Sequence, residues 1–194
     1  MPTIDWKRTS ISMAIFLFIL LSAVWYFRPT GPETLDLPGD RPTSRERLQL
    51  DFSNGDWHLG RDQQQSNKTH LQYVHGGETT ENWTELVSID AFPGLQEQGS
   101  PEEFASLMEK SIREWGGDKV SWNVIRKSPT DLVYEWQTAG REGTPDQHTL
   151  GRIVLGKEGL HLAVYAIKTS ALNPEQRADW LQHLDAAILV EAAD

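Results

Sequence analysis

The chain has 194 residues, a formal net charge of −10, eight Trp and no Cys. The missing thiol excludes disulfide scaffolds, thiolate metal sites, Cys nucleophiles and acylated lipoprotein anchors. The acidic excess argues against a nucleic-acid partner, which needs clustered Lys and Arg to neutralise phosphates.

The first element is a membrane segment. Ile11 to Phe27 is an apolar run broken only by Ser12 and Ser22. At 1.5 Å per residue it spans roughly 25 Å, and Thr9 and Ser10 bring it close to the ~30 Å hydrocarbon core. Lys7 and Arg8 precede it, Arg28 and Pro29 close it, and Trp6 and Trp25-Tyr26-Phe27 supply interfacial aromatics. The rival, a cleaved signal peptide, needs an A-x-A-like site that Ser22-Ala23-Val24-Trp25-Tyr26 does not offer. The expectation is a short tail at 1–10 and one uncleaved single-pass helix at 11–27. Lys7 and Arg8 put the tail in the cytoplasm and the following domain in the periplasm, anchored to the inner membrane. Arg28, Arg41, Arg45 and Arg47 weigh in the opposite direction.

Pro29, Pro32, Pro38 and Pro42 punctuate a polar stretch over 28–45 that has too few apolar residues for a core. It reads as an extended spacer able to reach up to ~50 Å from the bilayer. A single domain over 46–194 follows. Short strands are expected at Leu48–Phe52, Trp57–Leu59, His70–Val74 and Trp83–Ile89. In the last, strict alternation places Trp83, Glu85, Val87 and Ile89 on one face.

The period then changes. Ser100-Pro101-Glu102-Glu103 carries an N-cap, a proline at the first position and a capping box. Phe104, Leu107, Met108, Ile112 and Trp115 form a helical stripe that Gly116-Gly117 terminates. Four strands are expected next, around Val120–Arg126, Leu132–Thr138, His148–Leu155 and Leu160–Lys168, with a charged loop from Ala139 to Gln147. Asn173-Pro174-Glu175 opens a second helix running to about Val190, with Ala178, Leu181, Leu184 and Ile188 on its inner face and Trp180 and Leu189 broadening it. Strands joined by short turns imply an antiparallel sheet covered by helices, an α+β fold.

Constellations with chemical meaning are few. His58, His70 and His75 lack metal-ligand spacing, and His70 and His75 fall on opposite faces of a strand, so they read as surface histidines rather than a metal cluster. His148 and Arg152 share one strand face. Asp146 stands beside His148, but no nucleophilic Ser in a strained turn accompanies them, so the readings are structural polar pairing, an anion contact or catalysis. Glu78, Glu81 and Glu85 crowd Trp83 and read as solvated carboxylates rather than an acid–base pair. Asn67-Lys68-Thr69 and Asn82-Trp83-Thr84 match the glycosylation pattern. The remaining Trp residues suggest a core, or a groove lined by some of the rings.

The run Gly77-Glu78-Thr79-Thr80-Glu81-Asn82-Trp83-Thr84-Glu85-Leu86-Val87, with the later Asp146-Gln147-His148 and Arg152, resembles a group of exported or membrane-anchored bacterial proteins. The order of strands, helix, meander and helix is similar to that of the photosystem extrinsic protein PsbP and its relatives. The resemblance covers roughly Leu48 to Val190. It implies a PsbP-like α/β/α sandwich and a tendency toward non-enzymatic accessory or scaffold roles beside membrane complexes, and it carries over no functional residue; no cofactor is expected.

The functional expectation is a single-pass, membrane-anchored accessory or interaction domain. Its partners would be the bilayer, through the helix from Ile11 to Phe27, and a membrane protein complex. The alternative is an extracytoplasmic ligand-binding or sensing module with a Trp-lined pocket. A third reading is an enzyme using His148, Arg152 or the carboxylates around Trp83. Trp83, Glu85, His148 and Arg152 are the candidate ligand or partner contacts. No catalytic, cofactor-binding or metal-ligating residue is assigned.

Overall fold

The structure is a computed structural model that describes residues 45–51, 55–65, 68–139 and 145–191. The expected tail, membrane segment and spacer lie outside the described residues, as do Phe52, Asn67 and the middle of the charged loop. Among the described residues, no helix is long and apolar enough to cross a membrane.

Among the described residues, nine strands and two α-helices build an α+β fold: β1 (Glu46–Gln49), β2 (Trp57–Gln65), β3 (Lys68–His75), β4 (Glu85–Pro93), α1 (Pro101–Gly116), β5 (Val120–Lys127), β6 (Asp131–Thr138), β7 (Gln147–Leu155), β8 (Gly159–Ile167), α2 (Pro174–Ala186) and β9 (Ile188–Glu191). Seven strands form one sheet in the order β2-β3-β4-β8-β7-β6-β5, and β1 and β9 form a separate two-stranded ribbon. Every pairing is antiparallel. Two meanders, β2-β3-β4 and β5-β6-β7-β8, are therefore joined by the β4–β8 pairing.

Successive residues of a strand point to opposite faces, so the sheet carries two cores. On one face Phe104, Ala105, Met108 and Ile112 of α1 pack with Leu132, Tyr134, Trp136, Ile153 and Leu162. On the other, Trp180 and Leu184 of α2 and Leu48 of β1 pack with Val87, Ile89, Leu150, Ala163 and Tyr165. Helix α1 starts as its sequence dictates. The Ser100 hydroxyl accepts from the Glu103 amide, and the Glu103 carboxylate accepts from the Ser100 amide at 2.8 Å. The helix stops at Gly117, whose φ of 64° only glycine adopts without strain.

Glycine is also required at 151 for a steric reason. The Tyr134 ring lies over Gly151 on the neighbouring strand, and its other side stacks on Trp122 at 4.7 Å and 10°. A Cβ at 151 would overlap the ring itself. Gly151→Ala is expected to cost about 1–3 kcal/mol through overpacking. Urea denaturation checks this, and Gly151→Ala combined with Tyr134→Leu should recover part of the loss.

Four expectations about these elements need correction. The second helix ends at Ala186 and not near Val190; Ile188 to Glu191 turn into β9, which pairs with β1. Ile188 is 60% exposed and Ala178 is exposed, so the inner face of α2 rests on Trp180 and Leu184, with Leu181 packed beside them as expected. The second strand runs on from Leu59 to Gln65 along the open edge of the sheet, with a bulge between Leu59 and Arg61. Trp83 does not share the face of Glu85. Strand β4 begins at Glu85, and Trp83 folds over Val74, Leu86 and Ala166 on the α1 side of the sheet.

Candidate functional site

The four candidate contacts divide between the two faces. Trp83 is buried on the α1 side, with the Lys168 ammonium 4.3 Å from its ring centre. Burial lowers the pKa of that lysine. Glu85, His148 and Arg152 all face α2. Glu85 and His148 stand in the same row across the sheet, both opposite Ile167 of β8.

His148 is 1% exposed and fully engaged. The amide of Leu172 donates to its Nδ1 at 2.7 Å, which leaves Nε2 to carry the proton and donate to Glu135 Oε1 at 2.7 Å. Glu135 also accepts two bonds from Arg177 in the first turns of α2, both at 2.7 Å. The Arg177 guanidinium, with help from His148, holds the Glu135 pKa below the usual carboxylate range despite partial burial. Arg152 serves the far end of the same helix. Its Nη1 donates to the carbonyls of Leu184, Asp185 and Ala187 at 2.7, 3.1 and 2.9 Å, and its Nε donates to Asp131 at 2.9 Å. The two residues that share a strand face thus hold the two ends of α2.

The remaining histidines separate. His70 is buried, not a surface residue as its sequence suggested; its Nδ1 lies 2.7 Å from Asp90, which also pairs with Lys68 at 3.0 Å. His58 is exposed, and His75 ends β3 on the other face. Among the described residues, no three His, Cys, Asp or Glu side chains gather as a metal site. Glu78 is a loop staple, accepting from the Thr84 amide at 2.9 Å, from the Thr84 hydroxyl and from the Glu85 amide.

Burial of His148 and of His161 lowers both pKa values from the ordinary imidazole value, against the opposing pull of Glu135 and Glu46 respectively. The unfolded chain therefore binds more protons than the folded one once pH drops below about 6.5. Stability is expected to be full above that value and to fall as pH passes from there down through the folded pKa values. Protonated His148 would also set an N–H against the Leu172 amide. Urea midpoints at about pH 7.5 and 5.5 check this, and equal midpoints would refute it.

A cleft opens beside α2, and no sequence motif marked it. It has a volume of about 490 Å³ and is lined by Trp57, His75, Glu85, Asp179, Trp180 and His183 among others. The start of β2, the end of β3 and the start of β4 meet α2 here. Trp57 and Trp180 stand at 87° with centres 5.5 Å apart, and His75 and His183 flank them at 5.3 and 5.4 Å. Tyr165 stacks on Trp180 at 3.9 Å, donates its hydroxyl to Glu85 at 2.8 Å and accepts from Gln176 at 2.9 Å. Burial, reinforced by the Glu85 carboxylate, raises the Tyr165 pKa far above its ordinary range, so the phenol stays protonated and fixes Glu85 in place. Of the four sequence candidates only Glu85 lines this cleft. The other lining residues carried one signal in the sequence, the high Trp count.

No family model matches the chain, and no curated protein matches it. Among solved structures the chain is similar to a point mutant of the protein Mog1, with a TM-score of 0.37 and 9% identity, over 62% of this chain and 70% of that one.

Proposed function

We propose that this chain is a membrane-tethered, non-catalytic binding module that takes a small ligand in the cleft between α2 and the sheet. One observation carries the reading. Paired perpendicular indoles, two imidazoles and a fixed carboxylate converge on a concavity of about 490 Å³, within the ~300–1,000 Å³ range of small-molecule sites. The tether is the apolar segment from Ile11 to Phe27, and the Pro-rich spacer gives the domain reach from the bilayer. The non-catalytic part of the proposal is supported by His148 and Arg152. These are the sharpest candidates for acid–base or anion chemistry, and both have their hydrogen bonds committed to holding α2. A PsbP-like sandwich agrees with helices on both sheet faces and belongs to the same proposal.

The test is Trp emission of the full chain in maltoside micelles, titrated with lipids, quinones, small anions and organic amines. The expected result is a saturable shift for at least one class that Trp57→Ala abolishes. A flat response across the panel would overturn the reading. A protein recovered at fixed stoichiometry would then favour an accessory subunit of a membrane complex.

A further inference from the structure

The charge lining the cleft has one sign. Glu85 and Asp179 face it and Asp51 joins them, while no Lys or Arg is among the described lining residues. Asp179 is exposed and makes no hydrogen bond or ion pair within the described residues. Glu85 Oε2 is held by Tyr165, which leaves the other carboxylate oxygen for a visitor. One face of Trp180 is covered by Tyr165 and Trp57 meets it at 87°; a ring face that borders the cleft adds to this bias, because it carries the negative part of the ring quadrupole. Anions are disfavoured by the carboxylates, and a neutral ligand gains apolar contact and ordinary hydrogen bonds but no charge pairing.

The aromatic component also selects among cations. A small metal ion holds its water tightly, and an indole wall cannot replace that shell. An organic ammonium is weakly hydrated and gains from a ring face as well as from the carboxylates. Resting on the binding-module reading, we infer that the ligand of this cleft is an organic ammonium ion of small-molecule size, with its charged end between the indoles, Glu85 and Asp179.

The experiment compares choline with its neutral isostere, 3,3-dimethylbutan-1-ol. It uses the full chain in maltoside micelles at constant ionic strength and about pH 8, above the ordinary imidazole range. Calorimetry gives affinity and Trp emission gives location. Choline should bind about tenfold more tightly than the isostere. Asp179→Asn, at an exposed position that leaves folding intact, should weaken choline by roughly threefold to tenfold without changing isostere affinity. Equal or tighter binding of the isostere would overturn the ammonium assignment and leave the binding module standing. Choline binding that ignores both Asp179→Asn and Trp57→Ala would overturn the site. No response to choline, the isostere or the wider panel would overturn both readings together.

Discussion

Replacing Glu135 with Ala is expected to lower the unfolding free energy by about 4 kcal/mol. Glu135 is buried on β6 and accepts from His148 Nε2–H and from two nitrogens of Arg177. Its removal leaves a buried imidazole N–H without an acceptor and a guanidinium without its counter-charge. The Leu172 amide depends on His148 Nδ1, so the loss reaches the segment leading into α2. Arg177 is about one-third exposed, so water screens part of its share. Glu135→Gln separates the two contributions. Its amide oxygen still accepts from His148, the ion pair is lost, and the expected cost is about 1–2 kcal/mol. Urea denaturation gives both values, and hydrogen exchange at residues 172–177 should accelerate far more in the Ala variant. Equal losses for Ala and Gln would mean that the His148 bond contributes nothing.

What the sequence made legible was the local structure. The Ser100–Glu103 capping box and the Gly117 stop are settled within one helical turn, so the residues that decide them are neighbours in sequence. Strands β6, β7 and β8 are buried almost without a break because helices cover both faces of the sheet, so they read as dense apolar runs in the sequence itself. Failures came where a distant partner decides the conformation. Ile188, Leu189 and Val190 continue the helical phase of α2, yet they form β9 because β1, at the other end of the domain, offers a strand to pair with. Strand β2 has no apolar alternation because it lies on the open edge of the sheet, where polar residues from Arg61 to Gln64 suit a strand facing water.

The candidate site follows the same division. Four-residue spacing correctly placed His148 and Arg152 on one face, but spacing says nothing about what stands opposite. Their partners come from β6 and α2, and these turn two chemically suggestive residues into helix anchors. Glu135 was the readable clue: a lone carboxylate inside Leu132-Val133-Tyr134-Glu135-Trp136 must find a partner if that strand is buried. Trp57 and Trp180 meet only because the edge meander and α2 are brought to the same end of the sheet. A count of Trp residues can suggest an aromatic site but cannot pair the rings.

The C-terminal anchor of α2 gives the second large effect. Arg152→Met is expected to cost about 3 kcal/mol. The last carbonyls of a helix lack the usual amide four residues on, and the two N–H bonds of Arg152 Nη1 are shared among those of Leu184, Asp185 and Ala187. Its charge also lies at the negative end of the helix dipole, while Asp131 holds the other edge of the guanidinium. Methionine fills the space and supplies no donor. Arg152→Lys should recover less than half of the loss, because a single ammonium cannot reach three carbonyls and a carboxylate with the planar fork of Arg. Unfolding curves give the magnitude, and amide exchange at residues 187–191 gives the place, since β9 follows directly from the anchored turn. The Trp180–Tyr165 stack lies at the middle of α2, outside the anchored carbonyls, and should persist, so near-ultraviolet dichroism of the aromatic cluster should change little. Unaltered exchange in β9 alongside a full loss of stability would show that Arg152 acts through Asp131 alone.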